Sequence, residues 1–198
     1  MKQARLAIFI SGSGSNAEVI FSHFQNHPYI KVGLVLSNNP EAFGLTRASK
    51  FTIPSKIFTR GQFRESEEVL HWLQEAGITH IVLAGFLWLI PAYLIRAFPH
   101  GMINIHPSLL PKFGGQGMYG MKVHEAVKIS GEQQTGITIH EVDEKYDEGG
   151  ILFQAHCEID ASDTPSDIAE KVRQLEHLHY PLVIERWITQ QTLYRQDS

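Results

Sequence analysis

Short apolar runs alternate along this chain with stretches of helical periodicity, and that alternation limits the fold more than any other feature. The runs that predict strands are residues 6–10, 31–36, 53–58, 78–84 and 101–105, and the stretches that predict helices are residues 17–26, 42–50, 62–76 and 91–98. Strands separated by helices form parallel sheets whose faces the helices cover. We therefore expect an α/β fold with a mostly parallel, twisted, Rossmann-like sheet and helices on both faces.

The pattern changes in the C-terminal part of the chain. A helix is expected at 123–130, and two extended runs, 135–142 and 151–158, predict an antiparallel extension of the sheet. The Asp-Thr-Pro signal at 163–165 predicts a last helix that ends near Ile188, with Pro181 as a point where it can break. Because no repeat or linker-like stretch interrupts the chain, residues 1–198 are expected to form a single domain.

The composition favours small-molecule partners. Hydrophobic residues make up 43% and charged residues 19% of the chain, as in ordinary globular proteins. A formal net charge of -4 offers no basic surface to nucleic acid or to anionic membranes. The expected assembly is a monomer or a homodimer.

Two further absences shape the expectations. The first apolar run, residues 6–10, is too short for a signal-peptide core or a membrane span, which predicts a cytoplasmic protein. The single Cys157 excludes an internal disulfide and a cysteine-based zinc cluster, and the histidines lack the spacing of metal ligands. No catalytic metal is therefore expected.

Two polar side chains emerge side by side at the end of the fifth predicted strand. Because strand side chains alternate between faces, Asn104 and His106 project from the same face and place a hydrogen-bond donor beside a titratable base. Pro107 interrupts the ladder, and the chain then turns into a glycine-rich loop. A histidine at an arbitrary strand end is more often part of the core. The pair taken alone thus indicates only a candidate active site.

The octapeptide Asn-Ile-His-Pro-Ser-Leu-Leu-Pro at residues 104–111 resembles the signature of the folate-dependent formyltransferases. Members of this family transfer a formyl group from 10-formyltetrahydrofolate to an amine. The resemblance covers residues 6–187 and implies the formyltransferase fold, 10-formyltetrahydrofolate as co-substrate, and catalytic roles for Asn104 and His106. It also implies a cis peptide bond between Leu110 and Pro111, although cis bonds before proline are uncommon in folded proteins.

An acidic turn matches the family loop that carries a catalytic aspartate, with the pattern D-E-x-x-D-x-G at 143–149. A calcium-binding loop is the alternative reading of such a turn. Lys145, however, stands at a would-be ligand position, and Glu148 stands where an EF-hand requires glycine. The resemblance therefore assigns the catalytic role to Asp147.

A loop rich in serine and glycine, residues 11–17, separates the first predicted strand from the first helix. It fits the loose G-x-G-x-x-G/A form of a dinucleotide-binding loop, so a nicotinamide-dependent enzyme is a real alternative. That site also needs an acidic residue at the end of the second strand to bind the ribose, and this chain has Ser-Asn-Asn at 37–39. A single phosphate, bound by backbone N–H groups at a helix N-terminus, suits the loop better.

This loop resembles the 5′-phosphate site of family members that formylate glycinamide ribonucleotide (GAR) in de novo purine biosynthesis. GAR is thereby implied as the acceptor, and Glu176 is the residue implied to contact its amine. Arg64 aligns with a phosphate-binding arginine only across a gap, and an ordinary solvated helix residue explains it equally well. The phosphate ligands implied by the resemblance are Gly12, Ser13, Gly14, Ser15, Asn16 and Arg64.

The segment after the fourth predicted strand, residues 83–90, resembles the wall of the family's pterin pocket. Packing of a strand end into the core explains its leucines equally well. The chain departs from the family at Trp88, where a basic residue is frequent, and at 112–120, where its loop is longer and richer in glycine. The implied folate-binding residues are Phe86, Leu87, Trp88, Leu89, Ile90, Asp143 and Glu144.

Formyl transfer requires a donor for the developing oxyanion and a route for a proton. The Asn104 amide and a protonated His106 supply the first, and Asp147 favours the imidazolium and can hold a water for the second. Two alternatives stay open. One is a hydrolase like the formyltetrahydrofolate deformylases, and the other is a nucleotide-binding module without catalysis, which has no need for these three side chains together.

Overall fold

The computed structural model describes residues 3–194, and the side chains of residues 3–191. Its strands are β1 (Ala4–Ile10), β2 (Ile30–Ser37), β3 (Ser55–Ile57), β4 (His80–Leu83), β5 (Met102–His106), β6 (Gln134–Glu141) and β7 (Ile151–Glu158). Its helices are α1 (Ser15–Phe24), α2 (Phe43–Lys50), α3 (Arg60–Arg64), α4 (Glu68–Glu75), α5 (Ala92–Ala97), α6 (Met121–Ser130) and α7 (Pro165–Tyr194).

One seven-stranded sheet, in the order β3-β2-β1-β4-β5-β6-β7, forms the centre of the described chain. Strands β1 to β5 pair in parallel, and β6 and β7 continue the sheet in antiparallel pairing. The predicted mostly parallel sheet with an antiparallel extension is confirmed. The strand order reverses beside β1, between β1 and β4, so a crevice opens at their carboxyl ends, where open α/β sheets bind ligands.

Strand β1 shows how the sequence divides the core between the two faces of the sheet. Leu6, Ile8 and Ile10 pack with α1, α2 and α7 on one face, whereas Ala7 and Phe9 pack with α3, α4 and α5 on the other. All five side chains are fully buried. Alternate residues of a strand enter separate apolar layers, and each large side chain buried there contributes about 1.5–3 kcal/mol.

The region predicted as one helix at 62–76 forms two short helices instead. Thr59 begins α3 with a capping box, in which its hydroxyl accepts from the Gln62 N–H and the Gln62 side chain accepts from the Thr59 N–H. The Ser66 N–H then bonds back to the Gly61 carbonyl, and the Ser66 hydroxyl accepts from the Glu68 N–H at the start of α4. Such local bonds of a serine compete with a continuous helix.

Helix α7, in contrast, is longer than predicted, and it runs without a break through Pro181 to Tyr194. A proline inside a helix removes one backbone hydrogen bond. Tyr180 and Ile184 are nevertheless fully buried on either side of it, so core packing keeps the helix continuous. Neither α7 nor any other helix in the described part of the chain combines the length and apolarity needed to cross a membrane.

Candidate active site

A cleft of about 750 Å³ opens at the carboxyl ends of β1, β4 and β5. Its walls include the loop 12–16 after β1, the segment 86–90 after β4, the end of β5 and part of α7. Every residue predicted for the site lines this cleft except Arg64 and Glu144. The fold thus brings together side chains that are distant in the sequence, such as Asn16 and Glu176, which are 160 positions apart.

The pairing of β5 with β6 places His140 beside Asn104 and His106, the two residues predicted to be catalytic. Asn104 lies opposite His140, and His106 lies opposite Thr138. The Asn104 amide nitrogen is 3.1 Å from His140 Nε2, and His140 Nδ1 is 2.8 Å from the Glu141 carbonyl oxygen. Since the carbonyl can only accept, these partners assign the proton of neutral His140 to Nδ1 and make Nε2 the acceptor for Asn104. One N–H of the Asn104 amide is used in this bond, and the other is left for the cleft.

The Asp147 carboxylate lies between two histidines. Its oxygens are 3.4 Å from His106 Nδ1 and 3.5 Å from His140 Nε2, and it accepts the Gly115 N–H at 2.9 Å. Burial alone raises the pKa of Asp147, but the charge of a protonated His106 and the Gly115 N–H act against it, and the pKa lies below its ordinary value. Asp147 is therefore ionised at neutral pH.

The His106 ring faces an acceptor at each nitrogen. Nε2 lies 2.8 Å from the Phe113 carbonyl oxygen and must donate to it, whereas Nδ1 faces Asp147 at 3.4 Å, longer than an ordinary N–H···O bond. Burial lowers the pKa of His106 below its ordinary value, although Asp147 and the Phe113 carbonyl act in the opposite direction. The Nε2 side is fixed by the loop, so the Nδ1 side is the one that can exchange a proton or donate to a ligand.

A buried threonine holds the loop that follows β5. The Thr138 hydroxyl donates to the Ser108 carbonyl at 2.7 Å, and accepts from the Leu110 N–H and the Gln154 amide, each at 2.9 Å. Its hydrogen-bonding capacity is thus fully used in a site with no solvent access. The Leu110–Pro111 peptide bond in this loop is cis, as the family resemblance implied.

The loop 12–16 leads directly into α1, whose N-cap is Gly14. Gly14 has a φ of 70°, and a Cβ atom there would lie 2.5 Å from the Cα of Gly44, so only glycine fits. The Asn39 amide donates to the Ser11 carbonyl at 3.2 Å. Where a dinucleotide-binding fold has a carboxylate for the ribose, this chain therefore uses an amide to hold the loop.

Glu176 joins this loop to α7. The Asn16 amide donates to the Glu176 carboxylate at 3.0 Å, while Asn16 Oδ1 is buried without a hydrogen-bond partner in the described part of the chain. Burial raises the pKa of Glu176 to about 6, and the bond from Asn16 acts against that rise. A partly buried carboxylate with free hydrogen-bonding capacity in a cleft suits a cationic or amine ligand.

The segment 86–90 forms an aromatic and apolar wall on the other side of the cleft. Trp88 packs edge-on against Phe58 with ring centroids 6.0 Å apart. The Leu89 N–H donates to the Tyr146 hydroxyl at 3.1 Å. Flat apolar surface beside a few polar groups is typical of pockets that bind ring systems.

Two predicted residues lie elsewhere. Arg64 is exposed at the end of α3 and does not line the cleft, so the structure does not bring it to the loop 12–16. Glu144 is exposed on the acidic turn and also lies outside the lining, whereas its neighbour Asp143 lines the cleft and accepts the Lys145 N–H at 2.9 Å. Sequence alignment across a gap could not decide the position of Arg64.

The residues that line the cleft but were not predicted from the sequence include His124, His140, Tyr146 and Arg173. His140 had a detectable signal, because it shares a face of the predicted strand 135–142 with Thr138. His124 is buried, and burial together with nearby His106 lowers its pKa. Within the described residues, no group of three or more histidine, cysteine or acidic side chains is arranged to hold a metal ion.

Comparisons with known proteins agree with one another. Residues 4–184 match the formyl transferase family. The chain is 38% identical over its whole length to a chloroplastic phosphoribosylglycinamide formyltransferase of Arabidopsis thaliana, of which it covers 70%, and 34% identical over 98% of its length to the Haemophilus influenzae enzyme, of which it covers 91%. The crystal structure of phosphoribosylglycinamide formyltransferase from Anaplasma phagocytophilum superposes with a TM-score of 0.84 at 33% identity, over 92% of this chain and 85% of that one.

Proposed function

The chain belongs to the formyl transferase family, and on that premise we infer that it transfers the formyl group of 10-formyltetrahydrofolate to the amine of GAR, a step of purine biosynthesis. The observation that carries this inference is the meeting of Asn104, His106 and Asp147 with a phosphate-type loop and an aromatic wall in one cleft. A nicotinamide-dependent enzyme or a binding module has no need for that combination.

Asn104 and His106 stabilise the oxyanion that develops when the amine attacks the formyl carbon. The bond from Asn104 to His140 orients the amide and leaves its second N–H free, and the Nδ1–H of a protonated His106 is the second donor. Donors fixed before the reaction need no reorganisation when the charge appears. His140 is thus a positioning residue for Asn104.

Asp147 opposes the effect of burial on His106 and handles the proton of the attacking amine. Its ionised carboxylate favours the imidazolium, and the gaps of 3.4 and 3.5 Å to the two histidines leave its oxygens able to accept from another donor. A water on this carboxylate would carry the proton toward the leaving nitrogen. The amine attacks directly, so no covalent enzyme intermediate forms.

The two ends of GAR are assigned to the loop and to α7. Backbone N–H groups of residues 12–16 bind the 5′-phosphate at the N-terminus of α1, and Glu176 binds the glycinamide amine. The folate lies against residues 86–90 and Asp143, whose apolar rings and backbone groups fit a pterin. These roles follow the family resemblance and the positions of the residues in one cleft.

The wider assignments follow from the same elements. The cleft draws on β1, β4, β5, the β6–β7 turn and α7, which supports treating residues 1–198 as one domain. A monomer or a homodimer is proposed for the assembly. A cytoplasmic location stays a prediction, since the Arabidopsis relative is named a chloroplastic enzyme.

The test is an absorbance assay of 10-formyltetrahydrofolate conversion with and without GAR, combined with mass analysis of the ribonucleotide product. Turnover that depends on GAR and yields formyl-GAR is expected. Equal turnover in water alone would instead identify a deformylase-like hydrolase, and no turnover with tight nucleotide binding would identify a binding module.

A further inference from the structure

Tyr146 connects the two parts of the cleft that are assigned to folate and to proton transfer. It lies on the turn between β6 and β7, immediately before Asp147, and its side chain is half-buried in the cleft lining. Its hydroxyl oxygen accepts the Leu89 N–H at 3.1 Å. One side chain therefore joins the aromatic wall to the loop that carries the carboxylate.

The hydroxyl of Tyr146 can still donate one hydrogen bond. A phenol can accept and also donate one hydrogen bond, and the bond from Leu89 uses only the accepting side. Among the described residues no acceptor lies within hydrogen-bond distance of its proton. Because tyrosine hydroxyls in partly buried sites generally find a partner, this proton is available to a molecule bound in the cleft.

The backbone beside Tyr146 has an uncommon conformation. Asp147 has a φ of 57°, in the left-handed region that non-glycine residues seldom adopt. Such a conformation persists where its surroundings fix it. The Gly115 N–H holds the Asp147 carboxylate, and the bond from Leu89 holds the preceding residue, Tyr146.

We propose that Tyr146 contacts the folate and positions Asp147. Its hydroxyl, oriented by the Leu89 N–H, donates a hydrogen bond to an acceptor atom of the pterin ring bound against residues 86–90. Occupation of the folate site and the placement of the carboxylate then depend on the same side chain. This inference rests on the proposed function, because it takes the aromatic wall to be the folate site.

The first test compares Tyr146→Phe with Tyr93→Phe. Both variants delete one phenol oxygen that bonds a backbone group, but the Tyr93 hydroxyl donates to the Phe63 carbonyl outside the cleft. Loss of one hydrogen bond predicts that Tyr146→Phe raises the KM for 10-formyltetrahydrofolate about 3- to 10-fold and lowers kcat about threefold, with the KM for GAR unchanged within about twofold. Tyr93→Phe should leave all three constants unchanged within about twofold.

The second test needs no turnover. Amide hydrogen exchange of Leu89 in the ligand-free protein should become about tenfold faster in Tyr146→Phe and stay the same in Tyr93→Phe, because only the former loses the acceptor. Binding of tetrahydrofolate, followed by tryptophan fluorescence, should weaken about 3- to 10-fold in Tyr146→Phe alone.

Several results would overturn the proposal. These are an unchanged folate KM in Tyr146→Phe, an equal rise in the KM for GAR, the same changes in Tyr93→Phe, or unchanged exchange at Leu89. Failure of the proposed function is separable from all of them, because the wild-type protein would then form no formyl-GAR in the same assay.

Discussion

The two ends of the cleft are built from different groups. At the catalytic end, four side chains from β5, β6 and the following turn interact through their polar atoms: Asn104, His106, His140 and Asp147. At the phosphate end, the loop 12–16 offers mainly backbone, and its shape is set by the φ of Gly14. The difference indicates that chemistry depends on the identity of side chains at one end, whereas binding depends on the path of the backbone at the other.

The largest expected effect tests the catalytic end. His106→Ala removes a donor to the oxyanion and should lower kcat by about 10²–10³, because each such donor typically contributes that factor. The KM for GAR should change little, since the phosphate loop is untouched. Steady-state kinetics measure both constants. A kcat like that of the wild type would show that His106 does not stabilise the oxyanion.

A pair of glycine variants tests the phosphate end. A Cβ at Gly12 would meet nothing within 4 Å and would enter the cleft, so Gly12→Ala should raise the KM for GAR about 10- to 100-fold, the equivalent of a lost charged hydrogen bond, without changing the Tm.

Gly14→Ala is the matched variant with a different expected result. Its left-handed φ and the contact with Gly44 should lower the free energy of unfolding by about 1–2 kcal/mol or more, seen as a lower Tm in thermal unfolding. If Gly12→Ala lowers the Tm as much as Gly14→Ala, the proposed division of roles, with Gly12 for binding and Gly14 for the loop conformation, is wrong.

The pH dependence of GAR binding tests the junction between the two ends. Glu176 has a pKa of about 6, so its binding-competent ionised form decreases as the pH falls below that value. Between pH 7 and pH 5 the KM for GAR should therefore rise about tenfold. The KM of Glu176→Gln, measured over the same pH range, should not show this rise. The variant also serves as the control for the titration of GAR itself. If the KM for GAR of the wild type, divided by that of Glu176→Gln, stays constant between pH 7 and pH 5, the carboxylate does not have this role.

The stability of the protein should follow the same group. The pKa of Glu176 in the folded protein lies above its ordinary value, so the folded state holds the proton more tightly and stability decreases as the pH rises from about 4.5 to 6. Above that window the ionised, partly buried carboxylate destabilises the folded state most. Glu176→Gln should consequently raise the Tm at pH 7 relative to wild type and have little effect at pH 4.

The smallest expected effect concerns Arg64. Because its side chain is exposed on α3 and outside the cleft, Arg64→Ala should change the KM for GAR less than about twofold. A rise comparable with that of Gly12→Ala would mean that Arg64 reaches the phosphate when GAR binds.

Most of the fold was predictable because it rests on local patterns. The continuous apolar run at residues 6–10 already predicted a strand covered on both sides, and the capping signal at 163–165 predicted the start of α7. The limits of α3, α4 and α7 were not predictable in the same way. Ser66 ended one helix through bonds to its neighbours, whereas the burial of Tyr180 and Ile184 carried another through Pro181.

The same distinction between local pattern and tertiary packing applies to the candidate site. The sequence determined which residue types could do the chemistry, since Asn104 and His106 share a strand face and Asp147 lies in a recognisable turn. Only the tertiary structure decided which groups accompany them: it set His140 opposite Asn104, joined Tyr146 to Leu89, and left Arg64 outside the cleft. The physical reason is that side-chain periodicity is a property of a single strand or helix. Contacts between distant segments depend instead on the strand order and register of the whole sheet, which no local stretch of sequence specifies.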